Sequence, residues 1–298
     1  SSAASDVYKR QELRSDLMKY FELNDGNKVP AVGFGTYKIR DEKEMDIAIS
    51  SALEAGYTYF DTAKFYKNEK LLGKYLNSYA KGRKDYQIAT KVWPNAYGAD
   101  NTKKSIDDSL NDLGTDYLDV AFLHWYGDNY KESWKALKDY KDQGIIKSIA
   151  VSNFSIDQLT ELIETGIMPS IDQLENHPHL QDKDTHDFLK ENNILHQSWS
   201  SLARGNSGLI KEKILNELAD KYGKSPAQIA LRWNIERGVM VLVKSVHKRR
   251  IEENIDLFDF ELSKEDMNAI ESIDKKLRHS RDPEDKEWLE KAKNMDIE

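Results

Sequence analysis

The sequence has no cysteine, so no disulfide framework can form and an oxidising compartment is not required. It has no apolar run of membrane-spanning length, and neither end reads as a signal peptide. It has no excess of positive charge: 44 Lys and Arg stand against 52 Asp and Glu, a net charge of −8. A nucleic-acid backbone is a poor main partner for such a chain. No Gly-x-Gly-x-x-Gly follows the first apolar strand. Gly33 and Gly35 lack the third glycine and a helix start, which counts against a doubly wound dinucleotide fold. These absences predict a soluble cytoplasmic protein with no nucleic-acid and no membrane partner.

What is present is an alternation. Residues 1–17 have almost no apolar periodicity and read as an extension ahead of a natural start at Met18. Tyr20 to Leu23 and Lys28 to Val32 flank Asn24-Asp25-Gly26-Asn27, a hairpin signal. Strand and helix patterns then alternate eight times. Met45, Ala48, Ile49, Ala52 and Leu53 illustrate the helical stripe. The strands begin near Val32, Tyr57, Tyr86, Leu118, Ile145, Ser170, Ile194 and Val239. Each crossover is a helix, so the sheet is parallel. Eight units within 298 residues predict one α/β domain over 18–298, a TIM-type (β/α)8 barrel. An N-terminal β-hairpin precedes it, and an extra helix near Leu262 to Ile273 and a polar tail follow. The runner-up is the open doubly wound sheet.

The stretch Gly56 to Gly73, GYTYFDTAKFYKNEKLLG, organises the chain. Its aromatic, β-branched strand ends at Asp61, and Tyr66 follows on the loop. A carboxylate at the end of a buried strand is costly unless paired. In a closed barrel the site lies at the carboxyl ends of the strands. The other strand ends carry Lys91, His124, Ser152 with Asn153, Gln173 with Glu175, Trp199, and Lys244 with Ser245. Each has a plain alternative. Lys91 reads as a snorkelling lysine, His124 as a hydrogen-bonded core histidine, Trp199 as packing. Their joint placement at one end favours a pocket. A Tyr hydroxyl titrates near ~10. An adjacent ammonium should lower that value, and a carboxylate should hold the ammonium in place. With an imidazole to orient a carbonyl oxygen, the set suits protonation of that oxygen as hydride reaches its carbon. No side chain supplies hydride, so a nicotinamide cofactor is required.

The motifs GYTYFDTAKFYKNEKLLG, TKVW, LHW, VSNF, QLENHP and KSVHKRRIEENIDLFDF resemble those of the aldo-keto reductases, in order, over about residues 18–298. The resemblance implies a monomeric barrel that binds NADP(H) and a small carbonyl substrate, with no metal. It implies a tetrad of Asp61, Tyr66, Lys91 and His124, with Tyr66 as the acid. It implies nicotinamide contacts from Ser152, Asn153 and Gln173, and a stacking aromatic at Trp199, often Tyr in the family. It places further cofactor contacts at Thr36, Tyr37, Asp61, Ser200, Leu202, Lys244, Ser245, Val246, Arg250, Glu253 and Asn254. Substrate contacts fall on Tyr37, Phe65, Tyr66, Trp93, His124 and Trp125. The Trp199 context, SWSSLARG, is similar to the bacterial branch of diketogluconate and glyoxal or methylglyoxal reductases. Thr58, Tyr126, Ser201 and Leu242 depart from the family pattern, which has Arg at the first and Pro at the others. The tail from Lys275, with Arg278, Arg281 and Trp288, either folds over the site or ends in a packed helix. A non-catalytic cofactor-binding member of the same fold is the alternative. A barrel enzyme for phosphorylated substrates is a third reading, with Gly205 and Gly208 as its only hint.

Overall fold

The computed structural model describes residues 18–205 and 208–297. The expected extension, residues 1–17, lies outside the described residues. Strands β1 (Tyr20–Glu22) and β2 (Lys28–Pro30) form the antiparallel hairpin. Eight parallel strands follow: β3 (Val32–Gly35), β4 (Tyr59–Asp61), β5 (Gln87–Val92), β6 (Leu118–Leu123), β7 (Ile146–Ser152), β8 (Ile171–Glu175), β9 (Leu195–Trp199) and β10 (Met240–Val243). β10 pairs with both β9 and β3, so the sheet closes into a barrel. Closure excludes the open doubly wound sheet.

Helices α1 (Glu42–Ala55), α2 (Glu69–Tyr79), α3 (Ala99–Leu113), α4 (Tyr130–Asp142), α5 (Ile156–Ile163) and α6 (Lys183–Glu191) each follow one strand. Both α7 (Lys213–Tyr222) and α8 (Pro226–Glu236) follow β9, and α9 (Lys248–Ile255) follows β10. Two helices end the chain, α10 (Lys264–Glu271) and α11 (Lys286–Lys293). The α1 stripe is buried as its spacing predicts, and Asp41 caps its start by accepting the Glu44 N–H at 3.0 Å. Between α2 and the end of α3 the backbones almost touch. A Cβ at Gly73 would collide with the Leu113 carbonyl, so only glycine fits.

Alternate residues of a strand face opposite ways. One set fills the barrel, where Tyr59, Val120, Phe122, Ile171 and Met240 pack with Leu23 and Val29 of the hairpin. The other set meets the helices, where Ile88, Leu123 and Val241 join Met45, Leu76, Ile106 and Trp134. Burial on both faces makes the strands read as short apolar runs. The hairpin turn plugs the amino-terminal end. Asn27 Nδ2 donates to Ser148 Oγ at 2.9 Å, and Asn24 Nδ2 donates to the Pro169 carbonyl at 2.8 Å. The polar strand ends are left to the opposite, upper end.

Candidate active site

Five of the expected site residues lie inside strands rather than just after them: Asp61 in β4, Lys91 in β5, Ser152 in β7, Gln173 in β8 and Trp199 in β9. The apolar run stops where inward side chains turn polar, but backbone pairing continues for another residue or two.

At the centre is a buried ion pair. Lys91 Nζ donates to Asp61 Oδ1 at 2.7 Å and Oδ2 at 2.8 Å, and to the Thr62 carbonyl at 2.8 Å. Asp61 also accepts from Gln173 Nε2 at 2.9 Å. Gln173 in turn donates to Gln197 Oε1 at 2.6 Å. Desolvation raises the Asp61 pKa and lowers that of Lys91, while the pair opposes both shifts. Thr36 Oγ1 donates to the Asp61 carbonyl at 2.9 Å, tying the end of β3 to the same point.

Tyr66 sits on a 3-10 turn (Lys64–Tyr66), its hydroxyl 3.5 Å from Lys91 Nζ. Tyr37 covers it, ring centroids 5.0 Å apart. The sequence suggested that Lys91 lowers the Tyr66 pKa. The structure reverses this. Desolvation holds the phenol well above its ordinary value, and the Asp61 charge and Tyr37 add to the rise. A raised value keeps Tyr66 protonated at neutral pH, which is the form a general acid needs.

His124 is buried at 7% exposure, and its Nδ1 has no hydrogen-bond partner. Desolvation, and then the Lys91 charge, push its pKa well below the usual value, so the imidazole is neutral. Aromatic edges orient it: Trp93 at 5.0 Å, Tyr66 at 5.8 Å and Phe65 at 6.2 Å between centroids.

A second network lies alongside. Ser152 Oγ donates to the Gln173 carbonyl at 2.9 Å. Asn153 Nδ2 donates to the His124 carbonyl at 3.2 Å and to Ser152 Oγ at 3.1 Å. Its Oδ1 accepts from Trp199 Nε1 at 3.1 Å. Asn153 has φ of 58°, a left-handed conformation that Asn tolerates better than most residues. Ser200, at φ of 56°, begins the turn that carries half-buried Leu202.

At the end of β10, Lys244 is exposed and Ser245 Oγ accepts the His247 N–H at 3.0 Å. Half-buried Val246 packs against the outer core. Arg250 is exposed in the first turn of α9, and Asn254 is buried one turn on. Glu253 is drawn toward α8, where its Oε1 accepts from Ser225 Oγ at 2.5 Å. These residues suit a nicotinamide dinucleotide. Ser152 offers a hydroxyl, Asn153 and Gln173 side-chain amides, Trp199 a flat indole, and Lys244 and Arg250 cationic ends for phosphate. Among the described residues, no cluster of acidic and histidine side chains is arranged to hold a metal.

The expected substrate wall is aromatic and is backed by the end of the chain. Phe65 stacks on Trp93, centroids 4.2 Å apart. Trp93 Nε1 donates to the Ala292 carbonyl of α11 at 2.8 Å. Trp288 of α11 meets Trp125 at 5.5 Å and Trp93 at 6.3 Å. The segment finishes in a packed helix against Trp93 and Trp125.

Sequence reasoning missed two supports, Asn68 and Gln197. Asn68 Nδ2 donates to the Thr36 and Ile39 carbonyls, each at 2.9 Å, and its Oδ1 accepts from Thr62 Oγ1 at 2.7 Å. Gln197 lies two residues from Trp199 on β9, so strand alternation was the available signal. Two departures from the family pattern meet each other, because Ser201 Oγ donates to the Leu242 carbonyl at 3.2 Å. A third, Tyr126, packs on Tyr130 at 4.7 Å and donates to Glu161 Oε2 at 3.0 Å.

Residues 31–275 match the model of the Aldo/keto reductase family. The chain is 41% identical over 267 residues to methylglyoxal reductase DkgA of Escherichia coli, covering 88% of this chain and 96% of that one. It is 37% identical over 275 residues to a glyoxal reductase of Bacillus subtilis, covering 92% of this chain and 99% of that one. A Bombyx mori aldo-keto reductase solved in complex with NADP superposes with a TM-score of 0.82 at 32% identity. That match covers 87% of this chain and 94% of the other.

Proposed function

The chain belongs to the aldo/keto reductase family, and on that footing we propose that it reduces small aldehydes and ketones to alcohols with NADPH. Methylglyoxal and glyoxal, named in its relatives, are the first substrates to try. The observation that carries the reading is the convergence of Asp61, Tyr66, Lys91 and His124 at one point of the upper end.

NADPH, when bound, supplies the hydride. Tyr66 is the proton donor: its hydroxyl is the group that desolvation keeps protonated. Lys91, 3.5 Å from that hydroxyl, stabilises the phenolate as the proton leaves. Asp61 fixes Lys91 through two bonds and keeps it charged. His124, neutral, donates or accepts one hydrogen bond without adding charge, which suits it to orient a carbonyl oxygen. Trp199, Ser152, Asn153 and Gln173 seat the nicotinamide; Thr36, Tyr37, Ser200 and Leu202 border it. Lys244, Ser245, Val246, Arg250, Glu253 and Asn254 take the adenosine end. Tyr37, Phe65, Trp93 and Trp125 wall the carbonyl substrate. The reading includes a monomer working in the cytoplasm.

The test is NADPH consumption with a panel of carbonyl substrates, methylglyoxal and glyoxal among them. Turnover that disappears in Tyr66→Phe while NADPH still binds supports the reading. A wild-type protein that binds NADPH and turns over nothing in the panel would instead make it a cofactor-binding, non-catalytic member.

A further inference from the structure

Glu175 has no part in the chemistry proposed above, yet it is buried at 1% exposure at the mouth of the barrel. It follows Gln173 by two residues on β8, so both side chains leave the strand on the same face. Its carboxylate reaches a segment more than a hundred residues away. Oε1 accepts the His279 N–H at 2.8 Å, and Oε2 accepts the Ser280 N–H at 2.9 Å. His177 Nε2 lies 3.1 Å from Oε1. Burial alone would raise its pKa, but hydrogen bonds from His177, His279 and Ser280 bring the carboxyl down to about 2. The group is therefore a carboxylate wherever an enzyme is assayed.

We infer that Glu175 is a positioning residue: its carboxylate clasps the C-terminal segment and so seats Trp288 and α11 as the outer wall of the carbonyl pocket. Beyond the clasp, Gln158 Nε2 donates to the Pro283 carbonyl at 3.0 Å, and α11 begins three residues later. α11 then brings Trp288 against Trp125 and takes the Trp93 indole N–H on Ala292. Trp93 is the ring that meets His124 edge-on. The clasp and the indole bond each lie two residues beyond a site residue, Gln173 and Lys91. The tail is thus fastened by the strands that carry the site. The clasp differs from the outer fastener, the ion pair of Lys293 with Asp128, in being buried. A glutamine at 175 would keep the shape but present an amide N–H₂ to one backbone N–H, so one bond is lost and two donors face each other.

The inference rests on the proposed carbonyl reduction only for its kinetic arm. In Glu175→Gln, limited proteolysis within residues 275–297 should quicken about tenfold, equivalent to ~1.4 kcal/mol. KM for the carbonyl should rise by a similar factor, about tenfold, with kcat held within about threefold and the NADPH Kd unchanged. Ser280→Pro, which removes one donor from outside the core, should move the same two readouts in the same direction. Wild-type cleavage and wild-type KM in both variants would overturn the clasp, as would a loss falling on NADPH affinity instead. The cleavage arm reads the clasp whether or not any carbonyl is turned over. A failure of the proposed reduction and a failure of the clasp are therefore told apart.

Discussion

The two ends of the barrel use the same residue types to opposite ends. At the lower end Asp25 sits in the hairpin turn, paired with Lys141 and accepting from Ser170 at 3.1 Å. Burial raises the Asp25 pKa, but bonds from Lys141, Ser148 and Asn27 outweigh it and leave the group below its ordinary value. At the upper end the Asp61–Lys91 pair has side chains 3% and 0% exposed, against 12% and 24% for Asp25 and Lys141. There desolvation wins, and Asp61 lies above its ordinary value. The lower pair settles its charges and stabilises the fold. The upper pair stays costly, and beside it stand a phenol and an imidazole that desolvation also displaces. Perturbed groups that gather in this way mark a working site.

The largest expected effect tests whether the upper end does chemistry. Tyr66→Phe removes the proton donor and leaves the packing. We expect kcat to fall by ~10²–10⁴-fold with the NADPH Kd nearly unchanged. Near-normal turnover would remove Tyr66 from the role. Its raised pKa also sets a pH profile for the wild type. An acid is lost only as pH rises through its pKa, so carbonyl reduction should show no loss from Tyr66 below about 10. A falling limb near neutral pH that vanishes in a Tyr66 variant would contradict the desolvated phenol.

Lys91→Met and Lys141→Met make one change at both ends. The first strands Asp61 inside the barrel and should cost about 3–5 kcal/mol of unfolding free energy, with activity abolished. The second leaves Asp25 near water and should cost no more than about 1 kcal/mol, with kcat unchanged. Urea unfolding beside steady-state kinetics checks both. Equal stability losses would erase the distinction. Asp25 adds a sign. Its folded pKa is depressed, so its contribution is present above the unfolded value and fades as pH falls. Lys141→Met should therefore flatten the loss of stability below about pH 4.

Arg250→Ala sharpens the upper end further, by separating cofactor from substrate. It should weaken NADPH by about 1.5–3 kcal/mol, the range for charge-assisted bonds, and NADH far less. Titrations with both cofactors decide this. Equal losses would leave only stacking, and a wild-type preference for NADH would sink the phosphate role.

Much of this was legible in the sequence for a physical reason. Strands buried on both faces give short apolar runs, and amphipathic helices give stripes, so eight units could be counted. Asp61, Lys91 and His124 could be picked out as candidates because each short strand ends where apolar residues give way to one polar group. The direction of the Tyr66 shift was not legible. Spacing shows that a lysine is near, but not that desolvation of the phenol outweighs it. Glu175 and Trp93 were visible as residues but not as fasteners, because their partners lie 104 and 199 residues away. Contacts of that range depend on how the tail crosses the barrel, which no local pattern encodes.

The chain has six tryptophans, and four of them stand at the upper end: Trp93, Trp125, Trp199 and Trp288. The other two, Trp134 and Trp233, are buried in the helical layer. Most of the protein's indole groups therefore lie around the site. Light taken up there is reported from the place where a dinucleotide would lie and where the tail is clasped. Arrival of NADPH should dim that glow, and release of the tail should redden it as Trp288 meets water. The enzyme needs no dye to be watched: its own indoles serve as the lamp.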